Sequence, residues 1–165
     1  VTTTDSVTVT TLVAADPATA FVMFTDDIDL WWRRDPRHRF APGRQGALRF
    51  EAGVGGRLLE ASGRSDADVF EVGRVLAWEP GTRLVFEFRS GELARDECTE
   101  VEVRFEPAGE DATRVTLIHR GWDRLRADHP ARHGLEGGAF ASMVGLYWAE
   151  LLVSLGGHAR RADRP

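Results

Sequence analysis

Four groups of side chains carry the reactive functionality of this 165-residue chain. His119 ends an alternating run in which Val115 and Leu117 share its face. An imidazole titrates near neutrality, so on an inward face it offers a cavity acid or base, or simply a hydrogen-bonded histidine at the cavity edge. Glu60 follows a glycine turn and shares parity with Leu58. A carboxylate enclosed by apolar surface has a raised pKa and can act as a base, whereas at a sheet edge it pairs with a cation. Together His119 and Glu60 form a candidate proton-transfer pair.

Asp128, His129 and His133 invite a metal reading, because histidines four apart share a helix face. Pro130 between them breaks such a helix, and no third strong ligand lies near in sequence. Loop polarity is the better account, and no metal site is assigned. Tyr147 is the one polar member of an otherwise apolar helical stripe, which makes it a candidate hydrogen-bond donor to a ligand. Trp31, Trp32 and Phe40 read equally as core packing or as an aromatic cavity mouth.

These residues need a scaffold, and composition bounds it. The length suits one domain, taken as 1–165 with a core at about 6–156 and a tail at 157–165. With 21 basic and 26 acidic residues, the net charge of −5 argues against a nucleic-acid surface. Cys98 has no intrachain cysteine partner. No apolar run approaches the ~20 residues of a membrane span. The start, Val1-Thr-Thr-Thr, lacks the regions of a secretory signal, so the expected location is the cytoplasm.

Ser6–Leu12 reads as a strand. Asp16-Pro17 predicts a helix start leading into Phe21, Val22 and Phe24. A second helix carries Ile28, Leu30, Trp31 and Trp32 and should end at Asp35-Pro36. Strands are predicted at Ala47–Glu51, Arg57–Ala61, Val69–Trp78, Leu84–Phe88, Val101–Phe105 and Val115–His119, with turns at Gly53–Gly56 and Pro80-Gly81 and a charged loop at 90–96. Gly121–Gly138 reads as loop. The last helix is predicted at Ala139–Leu155, with Phe140, Val144, Tyr147, Trp148, Leu151, Leu152 and Leu155 on one stripe and a stop at Gly156-Gly157. The fold class is therefore α+β: a curved antiparallel sheet of about seven strands wrapped on a long C-terminal helix, with a cavity between them.

That order resembles the helix-grip fold of the START-like SRPBCC (Bet v 1-like) superfamily, and within it the bacterial branch named after the activator of the heat-shock-protein-ninety ATPase (AHSA-like). The likeness is carried by Trp31-Trp32, by Val54-Gly-Gly-Arg-Leu-Leu-Glu60, by Gly73-Arg-Val-Leu-Ala-Trp-Glu-Pro80 with Arg83-Leu-Val-Phe86, and by Leu117-Ile-His-Arg-Gly-Trp122. The start of the last helix departs from it: Gly137-Gly-Ala-Phe140 stands where the family often has Gly-Trp.

The resemblance implies a pocket for a small hydrophobic ligand, with Phe24, Trp31, Trp32, Phe50, Phe86, His119, Phe140, Met143, Val144, Tyr147 and Leu151 as candidate wall residues. Two alternatives stand beside that reading: a polyketide cyclase or dehydratase-like enzyme using His119 and Glu60, and a co-chaperone-like interaction domain. No cofactor is expected, since phosphate loop, cysteine pair and Gly-x-Ser-x-Gly are all missing from the sequence. The expected partner is a small apolar molecule, with neither nucleic acid nor membrane, and a homodimer is left open.

Overall fold

A computed structural model describes residues 5–40, 46–63, 65–89, 93–94 and 96–164; positions 90–92 and 95 of the predicted charged loop lie outside these. The alternating segments form one antiparallel sheet: β1 (Ser6–Val13), β2 (Ala47–Phe50), β3 (Arg57–Ala61), β4 (Val69–Glu79), β5 (Arg83–Phe88), β6 (Thr99–Pro107) and β7 (Thr113–Arg120). Its seven strands run in the order β1-β7-β6-β5-β4-β3-β2. The meander from β2 to β7 thus closes on β1, with Val7, His119 and Val101 side by side across three strands. Register shifts at Leu58/Leu59 and between Val75 and Ala77 bend the β3–β5 region. Gly73 has no room for a side chain: a β-carbon there would sit 1.7 Å from the carbonyl oxygen of Glu87.

The concave face is apolar, with Val101, Val103, Phe105, Val115, Leu117, Leu84 and Phe86 all buried. The convex face carries a charge network instead. Glu102 accepts from Arg83 (3.1 Å), Arg104 (2.7 Å) and Arg120 (2.7 Å). Burial alone would raise the Glu102 pKa, but these three guanidinium groups outweigh it and hold the carboxyl at about 2.

Two helices plug one end of the grip. In α1 (Pro17–Thr25) Asp16 caps the start by accepting from the Thr19 amide at 3.0 Å, as its position before Pro17 predicts. Phe21 and Phe24 from α1 pack edge-on against Phe105, and Phe21 also meets Trp78. The single turn α2 (Ile28–Trp31) stops well short of the predicted end. Asp35 instead turns the chain, accepting from the Arg37 amide at 3.1 Å, with His38 Nδ1 at 2.7 Å.

The long helix α3 (Gly137–Ala162) lies across the concave face and overruns its predicted stop. Gly156 is buried where α3 passes β1, and Ala159, a turn later, is fully buried. The glycine pair therefore lies inside the helix rather than at its terminus, and burial of the following turn offsets its poor helix propensity. By length and composition α3 is apolar enough to cross a membrane, yet Phe140, Trp148, Leu151 and Leu155 face the sheet and are fully buried. The segment predicted as loop between β7 and α3 contains two short 3-10 turns, Trp122–Arg124 and Pro130–Arg132.

Candidate functional site

Because α1 and α2 fill one end of the concave face, the other end is left to loops. A cavity of about 720 Å³ opens there. Its walls come from the segment after α2 (Pro36, Arg37, Arg39, Phe40), the strand ends (Phe88 on β5, His119 on β7) and the 3-10 turns (Trp122, Ala131, His133). The N-terminal half of α3 adds Met143, Val144, Leu146, Tyr147 and Trp148. Phe40, Phe88, Trp148 and Trp122 give it an aromatic lining.

His119 is set into the floor and is almost fully buried. The Trp148 indole N–H donates to its Nδ1 at 2.9 Å. Indole is only a donor, so Nδ1 is the acceptor and the ring is the Nε2–H tautomer. That N–H donates to the Thr99 hydroxyl at 2.6 Å, which in turn donates to the Phe88 carbonyl at 3.0 Å. Both ring nitrogens are therefore committed. Burial lowers the His119 pKa to about 3, so the ring is neutral across the physiological range. The geometry describes a polar rivet joining β5, β6, β7 and α3.

Glu60 is fully buried on β3, four strands along from β7, and is not part of the cavity wall. Its Oε1 lies 4.0 Å from Arg39 Nη1. Arg39 is itself a hub, donating to Asp29 (2.9 Å) and to the carbonyls of Gly46 (3.1 Å), Trp32 (3.0 Å) and Arg33 (3.1 Å). The structure does not bring Glu60 and His119 together in one pocket.

Tyr147 is held by stacking on His38, with ring centroids 4.7 Å apart and planes at 22°. Among the described residues its hydroxyl has no hydrogen-bond partner. Burial pushes its pKa up, with the Asp35 charge adding to the rise and Arg37 opposing it, so the hydroxyl keeps its proton.

Of the predicted wall residues, the cavity collects His119, Met143, Val144 and Tyr147. Phe24, Trp31, Trp32, Phe50, Phe86, Phe140 and Leu151 are buried in the core rather than on the wall. Trp31, for instance, packs between Phe24 and Trp32 at the α1–α2 end, while Phe140 packs edge-on against Trp122 behind the cavity wall. Sequence reasoning missed Arg37, Arg39, Phe88, Trp122 and Ala131. Phe88 was readable from its inward parity with Phe86; the others sit on irregular backbone that periodicity does not place. His129 and His133 part company: His129 Nε2 pairs with Glu97 at 2.8 Å, while His133, at a left-handed φ of 49°, lines the cavity.

Residues 14–144 match the family model described as activator of Hsp90 ATPase homolog 1-like protein. Comparison with curated proteins finds no match. Solved structures similar to this chain include an HSP90 activator from Plasmodium falciparum, at 16% identity and TM-score 0.63, covering 92% of this chain and 94% of that one. The Aha1 dimer from Colwellia psychrerythraea is similar at 18% identity and TM-score 0.58, covering 93% and 94%. The anthrahydroquino-gamma-pyrone synthase Txn09, complexed with SUM, is similar at 29% identity and TM-score 0.57, covering 94% and 97%.

Proposed function

Because the chain belongs to the family of activator of Hsp90 ATPase homolog 1-like proteins, we propose that it is a helix-grip binding protein whose cavity takes up a small, largely apolar molecule. The observation that carries this reading is the cavity of about 720 Å³ under α3, with its lining of Phe40, Phe88, Trp122, Val144 and Trp148. Its volume lies within the range of roughly 300–1,000 Å³ typical of small-molecule sites. Burying an apolar ligand against these walls supplies about 25 cal/mol per Å², less the cost of association. The activity in the family's name is not carried over, since the HSP90 activator relative shares the fold at 16% identity.

Native mass spectrometry of the purified protein tests this, alongside a Met143→Trp variant. Met143 is half-buried on the wall, so the larger ring projects into the cavity without displacing core. The expected result is a small-molecule adduct, or binding of an added polycyclic aromatic, that weakens at least tenfold in the variant while the melting temperature holds. Equal binding in both proteins would place the ligand elsewhere and sink the reading.

A second reading is an aromatic cyclase-like enzyme, favoured by the likeness to Txn09 at 29% identity. With both nitrogens of His119 committed and Glu60 off the cavity wall, the Tyr147 hydroxyl, which keeps its proton, is left as the hydrogen-bond donor to a reacting carbonyl. Turnover of a bound polyketide-type molecule, lost in Tyr147→Phe, would move the assignment to this class.

A further inference from the structure

The charge on the cavity wall is one-sided. The ionisable side chains lining it are Arg37, Arg39, His119, His133 and Tyr147, and among the described lining residues there is no aspartate or glutamate. A chain with a net charge of −5 has no general excess of cations to scatter there. His119 is neutral and locked. Arg39 is consumed by Asp29 and three carbonyls. Arg37 is differently placed. Its side chain is 61% exposed, and its guanidinium rests on Glu150. Glu150 has other neighbours, with the Arg33 guanidinium at 3.9 Å and His38 Nε2 at 3.4 Å. Arg37 can therefore turn away from Glu150 without stranding that carboxylate, a freedom Arg39 lacks.

Beside it stands the Tyr147 hydroxyl, a donor with no partner among the described residues, on a ring fixed by His38 and set edge-on to Trp148. The charges of Asp35 and Arg37 both reach that hydroxyl, Asp35 the more strongly, but the Asp35 carboxylate is already engaged by Arg33, His38 and the Arg37 amide. A rigid neutral donor next to an exposed guanidinium that can leave Glu150 is a site for an anionic acceptor, and it sits where the apolar wall meets solvent. A planar carboxylate matches both features: it takes paired N–H donors from guanidinium and has lone pairs left for the hydroxyl. A phosphate dianion would need a second uncommitted cation.

Resting on the reading of the cavity as a ligand site, we propose that the ligand is an apolar monocarboxylate, its hydrocarbon or aromatic body against Phe40, Phe88, Val144 and Trp148 and its carboxylate held at the mouth by Arg37 and the Tyr147 hydroxyl.

The test is a pair of probes of one shape, anthracene-2-carboxylate and anthracene-2-carboxamide, titrated calorimetrically into the full chain at neutral pH. The carboxylate is expected to bind at least tenfold more tightly, with a preference that shrinks as salt is raised. In Arg37→Gln the ratio of the two affinities should fall to within about twofold of unity, and in Tyr147→Phe it should fall severalfold. Glu150→Gln releases Arg37 and should raise the ratio, an opposite change that general damage to the mouth would not produce. If both probes bind equally, or the preference survives Arg37→Gln, the carboxylate assignment is overturned while the cavity reading stands. If neither probe binds, the cavity reading itself is overturned and this inference with it.

Discussion

His119 is engaged at both ring nitrogens and on its faces, and those contacts decide what it does. It accepts from Trp148, donates to Thr99 and packs against the rings of Phe88 and Trp122. An imidazole with both nitrogens engaged and no charge at neutral pH has no proton to lend. We predict that nitrogen-15 NMR finds the Nε2–H tautomer, with no titration of this ring between pH 8 and 5; a midpoint near 6.5 would show that the Trp148 and Thr99 bonds do not persist. The sequence made His119 legible as an inward-facing residue, because strand parity places side chains by alternation. It did not make legible that Trp148, twenty-nine residues away, would supply the proton that fixes the tautomer. Arg37 was invisible for a different reason. It lies on irregular backbone after α2, where neither period applies and the direction of the side chain depends on Glu150 from the last helix.

At the scale of elements, β1 to β5 were legible to within a residue, since their apolar face and their Pro and Gly turns agree, while β6 and β7 run up to two residues beyond their alternating cores. The last helix was legible in its stripe but not in its end. Gly156-Gly157 reads as a stop in sequence because glycine is the usual residue beyond a helix; burial of Ala159 against the rest of the fold reverses that. Two glycine substitutions distinguish the roles. At Gly156 an added β-carbon would meet nothing closer than Arg160 Nη1 at 3.7 Å, and the backbone is helical. Gly156→Ala is therefore expected to stabilise the protein by ~0.5–1 kcal/mol in urea unfolding. A loss of stability would mean that α3 ends near 156 after all. Gly73→Ala should cost several times as much, on the order of 3 kcal/mol or more, because its β-carbon would overlap the Glu87 carbonyl across the β4–β5 pair.

For the whole molecule, two groups on opposite faces of the sheet make the folded state sensitive to acid in separable windows. His119 has an ordinary value of 6.5 and is held at about 3, because burial excludes the charged form. Glu102 falls from 4.5 to about 2; burial opposes ionisation, but Arg104, Arg120 and Arg83 stabilise the carboxylate by more. In both cases the unfolded chain binds the proton more readily, so stability rises with pH. The His119 contribution is complete above pH 6.5 and is lost as pH falls toward 3. That of Glu102 is complete above pH 4.5 and is lost as pH falls toward 2. At full loss the His119 shift corresponds to roughly 5 kcal/mol and the Glu102 shift to roughly 3 kcal/mol. Urea midpoints measured from pH 8 to pH 3 should therefore decline in two limbs. His119→Gln, which cannot titrate, should flatten the limb between about 6.5 and 4.5. Glu102→Gln should be less stable than the native chain at pH 7, because three guanidinium groups lose their shared carboxylate, yet show a shallower slope below pH 4.5. If the upper limb is unchanged in His119→Gln, the proton uptake between pH 6.5 and 4.5 belongs to another histidine, and the rivet between sheet and helix is not what acid breaks first.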